Sequence, residues 1–396
     1  MSINDTPSGE RIHIGIFGKR NAGKSSIINA LTGQNLAIVS DIKGTTTDPV
    51  LKAMELLPLG PVVMIDTPGL DDEGELGALR VQKAYQILNK TDIALLVIDG
   101  TTGMTQEDDA ILKRIQDKSI PCIIVMNKSD LVPKSAQALP ETGIPRLWCS
   151  AFCRSNIQEL KERIASLVPK KDTKLPIVGG LIKPSDLVVL VIPIDKAAPK
   201  GRLILPQQQT IRDILEAGAV SVVTRNTELK ETLASLGKKP ALVITDSQAF
   251  EQTASDVPED IPLTSFSILF ARYKGDLWHM VDGARTLDSL TDKDRVLICE
   301  GCTHHRQCGD IGTEKLPAWI RKHTGTTPEF EFTSGTEFPL DLSPFRLIIH
   351  CGGCMLNERE MKYRLKCARD ANVPMTNYGT AIAYMKGILE RSIAMF

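Results

Sequence analysis

The sequence predicts an α/β fold, in which a doubly wound, mostly parallel sheet is followed by two smaller α/β domains. Three observations predict it. A glycine-rich loop lies between an apolar strand run and a helical run within residues 12–31. Short apolar runs ending in polar residues then alternate with helical periodicity through residue 167. Two further alternations of the same kind fill the rest of the 396 residues, and in the last of them the strand runs end in cysteine and histidine.

The totals narrow the classes. A formal charge of −1 argues against a protein that mainly coats nucleic acid or an anionic membrane surface. No apolar run reaches the roughly 18 residues needed to cross a bilayer, and MSINDTPSGE lacks the layout of a secretion signal. A cytoplasmic protein is expected. Nine cysteines are then an improbable disulfide framework. Six of them (Cys299, Cys302, Cys308, Cys351, Cys354, Cys367) fall in the last hundred or so residues, which favours metal. Cys122, Cys149 and Cys153 read as packing.

In the first domain, IHIGIFGKRNAGKSSIINAL reads strand, loop, helix, and residues 18–25 spell G-x-x-x-x-G-K-S. Phosphate binding needs these residue types. Gly18 and Gly23 let the backbone approach, and the amides from Asn21 and Ala22 through Ser25 and Ser26 open a helix N-terminus that favours an anion. Lys24 offsets charge on the β/γ-phosphates, and the Ser25 hydroxyl suits Mg²⁺. DTPG at 66–69 follows PVVMI, so Asp66 is placed to hold Mg²⁺ through water and the Gly69 amide to meet a γ-phosphate. NKSD at 127–130 follows PCIIVM. Asn127 and Lys128 precede Asp130, whose carboxylate accepts from the two guanine donors that adenine lacks. Ser150 and Ala151 follow RLWC, where a backbone amide is expected at the guanine carbonyl. DIALLVIDG at 92–100 and helical patterns at 77–89, 105–117 and 156–167 complete the alternation.

DIKGTTTDP at 41–49 resembles the switch loop of TrmE/Era-type GTPases. The resemblance implies that the first domain is a P-loop GTPase domain, which the two smaller α/β domains follow. It implies that Thr46 closes on Mg²⁺, with Thr45 and Thr47 as the other choices, and that Asn21 helps hold an activating K⁺. Lys24, Thr46 and Gly69 are then the expected catalytic set. Leu70 stands where Ras-like enzymes place the water-orienting glutamine, so intrinsic hydrolysis is expected to be slow.

VPKKDTKLP at 168–176 reads as a linker, dividing domain 1–170 from 171–263 and 264–396. The middle segment alternates DLVVLVIPID, TIRDILEAG, AVSVV, TELKETLASLG and ALVITD. It carries no phosphate loop; a homodimer contact is one use for it, and a spacer that only packs on its neighbours is the other. In the last segment DRVLICEGCTHH and FRLIIHCGGC have one form, an apolar strand that breaks into a glycine turn. If the strands are neighbours, Cys302, His304, His350, Cys351 and Cys354 converge at the sheet edge where α/β proteins bind ligands. Three readings compete: zinc on thiolates and one histidine, an iron–sulfur cluster on three thiolates, or a redox pair Cys351/Cys354 without metal. Cys299 and Cys367 read as buried packing, and NYGTAIAYMKG at 377–387 as a loop and a core-packed helix.

A TrmE/Era-like GTPase joined to CTH and HCGGC resembles the HydF family of [FeFe]-hydrogenase maturation factors over essentially the whole chain. That resemblance implies GTPase, dimerisation and cluster-binding domains in this order, with a [4Fe–4S] cluster on Cys302, Cys351 and Cys354. His304 and His350 become possible fourth ligands or supports for the ligand loop. His305, Glu300, Asp310 and solvent are further choices for that position, and Cys308 falls outside the family pattern. The resemblance also implies a diiron precursor as cargo, with the hydrogenase apoprotein and radical-SAM maturases as partners. Two other functions remain in view. One is an RNA-modification or ribosome-assembly GTPase with structural zinc, which the neutral charge and the lack of a basic, aromatic-interleaved stretch weaken. The other is a redox-regulated switch.

Overall fold

A computed structural model describes residues 8–33, 50–69, 85–137, 143–168, 175–194, 203–301, 310–335, 337–339 and 341–396. Thr45, Thr46, Thr47, Leu70, Cys302, His304, His305 and Cys308 lie outside the described residues. The chain falls into two compact units, Met1–Lys171 and Asp172–Phe396.

The first unit is built on a six-stranded sheet of order β2-β3-β1-β4-β5-β6, with β1 Ile12–Phe17, β2 Val50–Leu56, β3 Gly60–Asp66, β4 Ile93–Asp99, β5 Cys122–Asn127 and β6 Arg146–Trp148. Neighbouring strands run parallel except β2, which is antiparallel to β3. Continuous apolar runs such as IALLVID belong to strands covered on both faces, and side chains along each strand divide between two cores. Ile14, Ile16, Leu95 and Val97 pack with Ile27 and Leu31 of helix Lys24–Thr32 and with Leu160 and Ile164 of helix Ile157–Ser166. Phe17, Leu96, Ile98 and Ile124 pack with Ile111 and Ile115 of helix Gln106–Asp117. The expected helices at 105–117 and 156–167 agree with these spans. Of the pattern at 77–89, only residues 85–88 are described as helix. The sequence reading missed β2. Only Leu56 of VLKAMEL is buried, so this edge strand shows no apolar run to recognise.

The second unit holds two four-stranded parallel sheets. One has the order β10-β9-β7-β8, with β7 Leu187–Val191, β8 Val220–Thr224, β9 Leu242–Thr245 and β10 Leu263–Ser265. The other has the order β12-β11-β13-β14, with β11 Arg295–Glu300, β12 Glu329–Ser334, β13 Leu347–His350 and β14 Met375–Asn377. They share one hydrophobic core. Val189, Val243 and Leu263 of the first sheet are continuous with Leu297, Ile348 and Met375 of the second, through Ile268 and Ala271 of helix Phe266–Lys274 and Met280 and Val281 of helix Leu277–Arg285. Helix Leu277–Arg285 crosses β14 closely: a Cβ on Gly283 would fall 2.1 Å from the Met375 carbonyl oxygen. Across the same unit, the Arg391 guanidinium donates to the carbonyl oxygens of Ala254, Val257 and Pro258.

Candidate functional site

Two sites rise from this framework, one in each unit. In the first, the loop between β1 and helix Lys24–Thr32 is shaped by close approaches. Gly18 adopts φ +139°, and a Cβ there would stand 2.1 Å from the Val97 carbonyl oxygen. Gly23 adopts φ +91°, and its Cβ would stand 2.2 Å from Asn127 Nδ2. No side chain caps the helix at Gly23, so its first amides face the loop, as an anion site requires. The Lys24 ammonium lies buried and donates to the carbonyl oxygens of Gly18 (2.9 Å) and Lys19 (2.8 Å). Asn21 holds φ +58° and is exposed, Ala22 is buried, and Ser26 is half-buried in the helix's first turn.

At the end of β3, Asp66 Oδ2 accepts from the Ser25 hydroxyl at 2.6 Å. Its Oδ1 is buried without a hydrogen-bond partner among the described residues. Burial raises the Asp66 carboxyl above its ordinary range, against the opposing pull of the Ser25 bond, Lys24 and Lys52. A hydroxyl and a half-satisfied carboxylate side by side are the donor set that Mg²⁺ takes in phosphate sites, so these residues fit that ion. Gly69, half-buried three residues on, continues the same strand exit.

β5 ends in Asn127, buried and bonded on both sides. Its Nδ2 donates to the Ala22 carbonyl at 2.9 Å, and its Oδ1 accepts from the Ala151 amide at 3.1 Å. Asn127 thus stitches the phosphate loop to the loop after β6. The Lys128 ammonium pairs with Asp99 at the end of β4, a partner that sequence reading did not name. Asp130 is exposed. The Ser150 amide donates to the Ser155 carbonyl at 3.2 Å. Both amides expected near a guanine carbonyl therefore carry protein bonds, and either must yield or share its hydrogen to meet a base.

In the second unit, β11 and β13 are adjacent and parallel, with Cys299 paired to His350. The chain segments that follow, one leading to Cys302 and the other holding Cys351 and Cys354, leave the same sheet edge. The Gly301 amide donates to Cys351 Sγ at 3.0 Å and the Gly353 amide to the same sulfur at 3.4 Å. Amides aimed at a sulfur favour its thiolate, the form that binds metal. The donor set of soft sulfurs at a strand edge fits an iron–sulfur group or zinc. Burial and the neighbouring Cys351 raise the Cys354 thiol, and Lys274 pulls it back. Among the described residues no three potential ligands gather as a metal group; Cys302 is outside that set.

His350 is fully buried, and both ring nitrogens are engaged. Nδ1 lies 2.7 Å from the Cys351 carbonyl oxygen and Nε2 lies 2.9 Å from Arg364 Nη1. Guanidinium only donates, so Nε2 accepts and Nδ1 carries the hydrogen given to Cys351. Arg364, itself fully buried, also donates to Glu360 Oε1 at 2.9 Å and to the Gly335 carbonyl at 3.0 Å. Sequence reading singled out neither Arg364 nor Glu360. Their spacing of four on an amphipathic helix, Glu358–Asp370, looks like an ordinary surface pair.

Cysteine packing needs one correction. Cys122, Cys149 and Cys299 are buried and Cys367 is partly so, but Cys153 is exposed. It lies in the turn between β6 and helix Ile157–Ser166, outside the strands that the cores cover.

The family comparisons divide the chain in the same order. A GTPase model described as 50S ribosome-binding matches residues 13–128. The hydrogen maturase F dimerization domain matches residues 177–275, and the hydrogen maturase F tetramerization domain matches residues 278–395. The last two together span more than half of the 396 residues. The chain belongs to the hydrogen maturase F family. Its first unit is a GTPase domain, and its second carries the family's two oligomerisation domains. Tetramerization is an addition to the expected dimer: the segment expected to bind a cluster also matches an assembly domain. The tRNA modification GTPase MnmE of Chromobacterium violaceum is 34% identical over 160 residues, covering 40% of this chain and 35% of that protein. MnmE of a Cyanothece species is 30% identical over 242 residues, covering 60% of this chain and 49% of that protein. The chain thus spans a third to a half of the length of these curated relatives. Era of Aquifex aeolicus bound to GDP and AlF4− aligns with a TM-score of 0.36 at 23% identity, covering 54% of this chain and 92% of that one. Among the described residues no helix is long and apolar enough to cross a membrane.

Proposed function

We propose that this hydrogen maturase F protein is a cytoplasmic, GTP-hydrolysing scaffold that binds a [4Fe–4S] cluster and delivers a diiron precursor to the [FeFe]-hydrogenase apoprotein, working with radical-SAM maturases. The assignment of residues 1–170, 171–263 and 264–396 to nucleotide, dimer and cluster functions is part of the proposal. The observation that supports it is the parallel pairing of β11 with β13, because Gly301, which precedes Cys302 in the sequence, and the turn holding Cys351 and Cys354 then leave the sheet at one edge. Cys302, Cys351 and Cys354 would hold the cluster, which supplies an iron of open coordination to an incoming metal unit. Three thiolates rather than four keep that position exchangeable. His304 remains a candidate for the fourth position. His350 is better suited to bracing the Cys351 carbonyl, since ligation would cost its bond to Arg364.

In the nucleotide site, Lys24 would turn from loop carbonyls to the β/γ-phosphates. Ser25, Asp66 and Thr46 would surround Mg²⁺, the Gly69 amide would meet the γ-phosphate, and Asp130 would select guanine. Equal turnover in sodium and potassium buffers would count against a potassium site at Asn21.

Anaerobic reconstitution with iron and sulfide tests the central reading. A brown protein whose colour is lost in Cys302→Ser, Cys351→Ser and Cys354→Ser is expected. A colourless protein holding one tight zinc favours instead the RNA-modification or ribosome-assembly GTPase reading, a class its MnmE relatives represent.

A further inference from the structure

The cysteine loop rests on a buried lysine drawn from the other half of its unit. Lys274 ends helix Phe266–Lys274, which starts directly after β10, and the side chain is 3% exposed. Its Nζ donates to the carbonyl oxygens of Gly353 (3.2 Å), Cys354 (3.2 Å) and Leu356 (2.9 Å). These acceptors lie within four residues of chain, so one ammonium fixes the curvature of the whole turn. The turn is tight: Gly353 adopts φ +61°, its Cβ would stand 2.7 Å from Met361 Sδ, and the Leu356 amide returns to the Gly353 carbonyl at 3.1 Å. Burying an ammonium is costly unless dipoles or charges offset it, and three converging carbonyls do so here. The helix that supplies Lys274 lies in the segment matched by the dimerization domain, and the loop it grips lies in the segment matched by the tetramerization domain.

We propose that Lys274 is a positioning residue for the thiolate-bound centre: it pins the backbone from Gly353 to Leu356 and places a positive charge beneath an anionic group. The inference rests on the reading that these cysteines hold a cluster, and it deepens that reading. A cubane bound by thiolates becomes more negative on reduction. A buried cation against its ligand loop therefore favours the reduced form and slows loss of the centre. Because the same side chain belongs to the dimerization segment, the loop's geometry is tied to that segment.

The test compares wild type with Lys274→Met, which keeps the length and loses charge and donors, and with Lys274→Arg, which keeps the charge. In Lys274→Met, hydrogen exchange across residues 351–357 of the apo chain is expected to rise. Iron is expected to leave to a chelator about 10–100-fold faster, and the reduction potential, followed by spectroscopic titration, to move negative. Lys274→Arg is expected to restore the potential and to restore retention in part. A merely structural lysine leaves the potential unchanged. Folded Lys274→Met with wild-type exchange, retention and potential overturns the proposal. If Lys274→Met does not fold, Lys274→Gln, which loses the charge and keeps a donor, decides: wild-type exchange, retention and potential overturn it, and faster exchange and loss with a more negative potential support it. A wild-type chain that takes up no iron–sulfur centre rejects the cluster reading, while the exchange comparison on apo protein still tests the lysine.

Discussion

Asp66 carries opposing influences in one carboxyl. Burial pushes its titration up, and Ser25, Lys24 and Lys52 resist. In the folded apo chain the carboxyl holds its proton more readily than in the unfolded chain. Its contribution to stability therefore declines as pH rises from the ordinary aspartate range through the raised value. Mg²⁺ needs the ionised form, so affinity for Mg–GTP is expected to weaken as pH falls through that same window. Asp66→Asn is expected to abolish this dependence and to weaken Mg²⁺ binding about 10–100-fold, measured by titration with a fluorescent GTP analogue across pH. Glu360 offers a second residue-scale test. It pairs with fully buried Arg364, and the two are 6% and 0% exposed at their side chains. Removing one partner strands a charge, so Glu360→Ala is expected to destabilise the second unit by about 3–5 kcal/mol. Thermal unfolding followed by circular dichroism measures it. An unchanged midpoint would show that Arg364 finds other acceptors.

Elements set what each loop can do. Helix Lys24–Thr32 starts without a side-chain cap, which leaves its first amides open to an anion, as the proposed phosphate site requires. Gly23 makes that start possible at φ +91°, against Asn127 of β5. Gly23→Ala is expected to force apart the contact between loop and strand, adding about 1–3 kcal/mol of strain. The loss should show as weaker GTP binding with the far-UV spectrum kept. In the second unit, helix Glu358–Asp370 presents Glu360 and Arg364 to the end of β13, and helix Phe266–Lys274 presents Lys274 to the turn after it. Two helices therefore hold the segment 350–356 in place. β12 and β14 flank the central pair without supplying a thiol.

Across the whole molecule, burial separates the cysteines into classes. Cys122, Cys149 and Cys299 are pushed up to about 12 by burial. At pH 8 only about one in ten thousand of each is thiolate by that shift. Native apo protein treated with iodoacetamide is expected to spare these three and to be labelled at exposed Cys153. Mass spectrometry of the digest reads this. Rapid labelling of Cys299 would show that β11 opens readily.

The GTPase domain was legible in the amino-acid sequence because each of its motifs is local. Gly18 to Ser26, Asp66 to Gly69 and Asn127 to Asp130 each sit at the end of a strand covered on both faces, and such strands announce themselves as apolar runs. The ends of β11 and β13 were legible for the same reason, and so was the oligomeric use of the middle segment. The edge strands β2 and β12 were not, since a half-exposed strand has no continuous apolar run, and β14 is only three residues long. Only the tertiary structure decided that β11 and β13 are neighbours, that Asn127 joins two loops, and that His350, Arg364, Glu360 and Lys274 brace one turn. Sequence order carries the chemistry of a loop with its own strand. Contacts between segments 14 to 105 residues apart arise from packing, where a buried charge takes whichever carbonyl or carboxylate the fold brings to it.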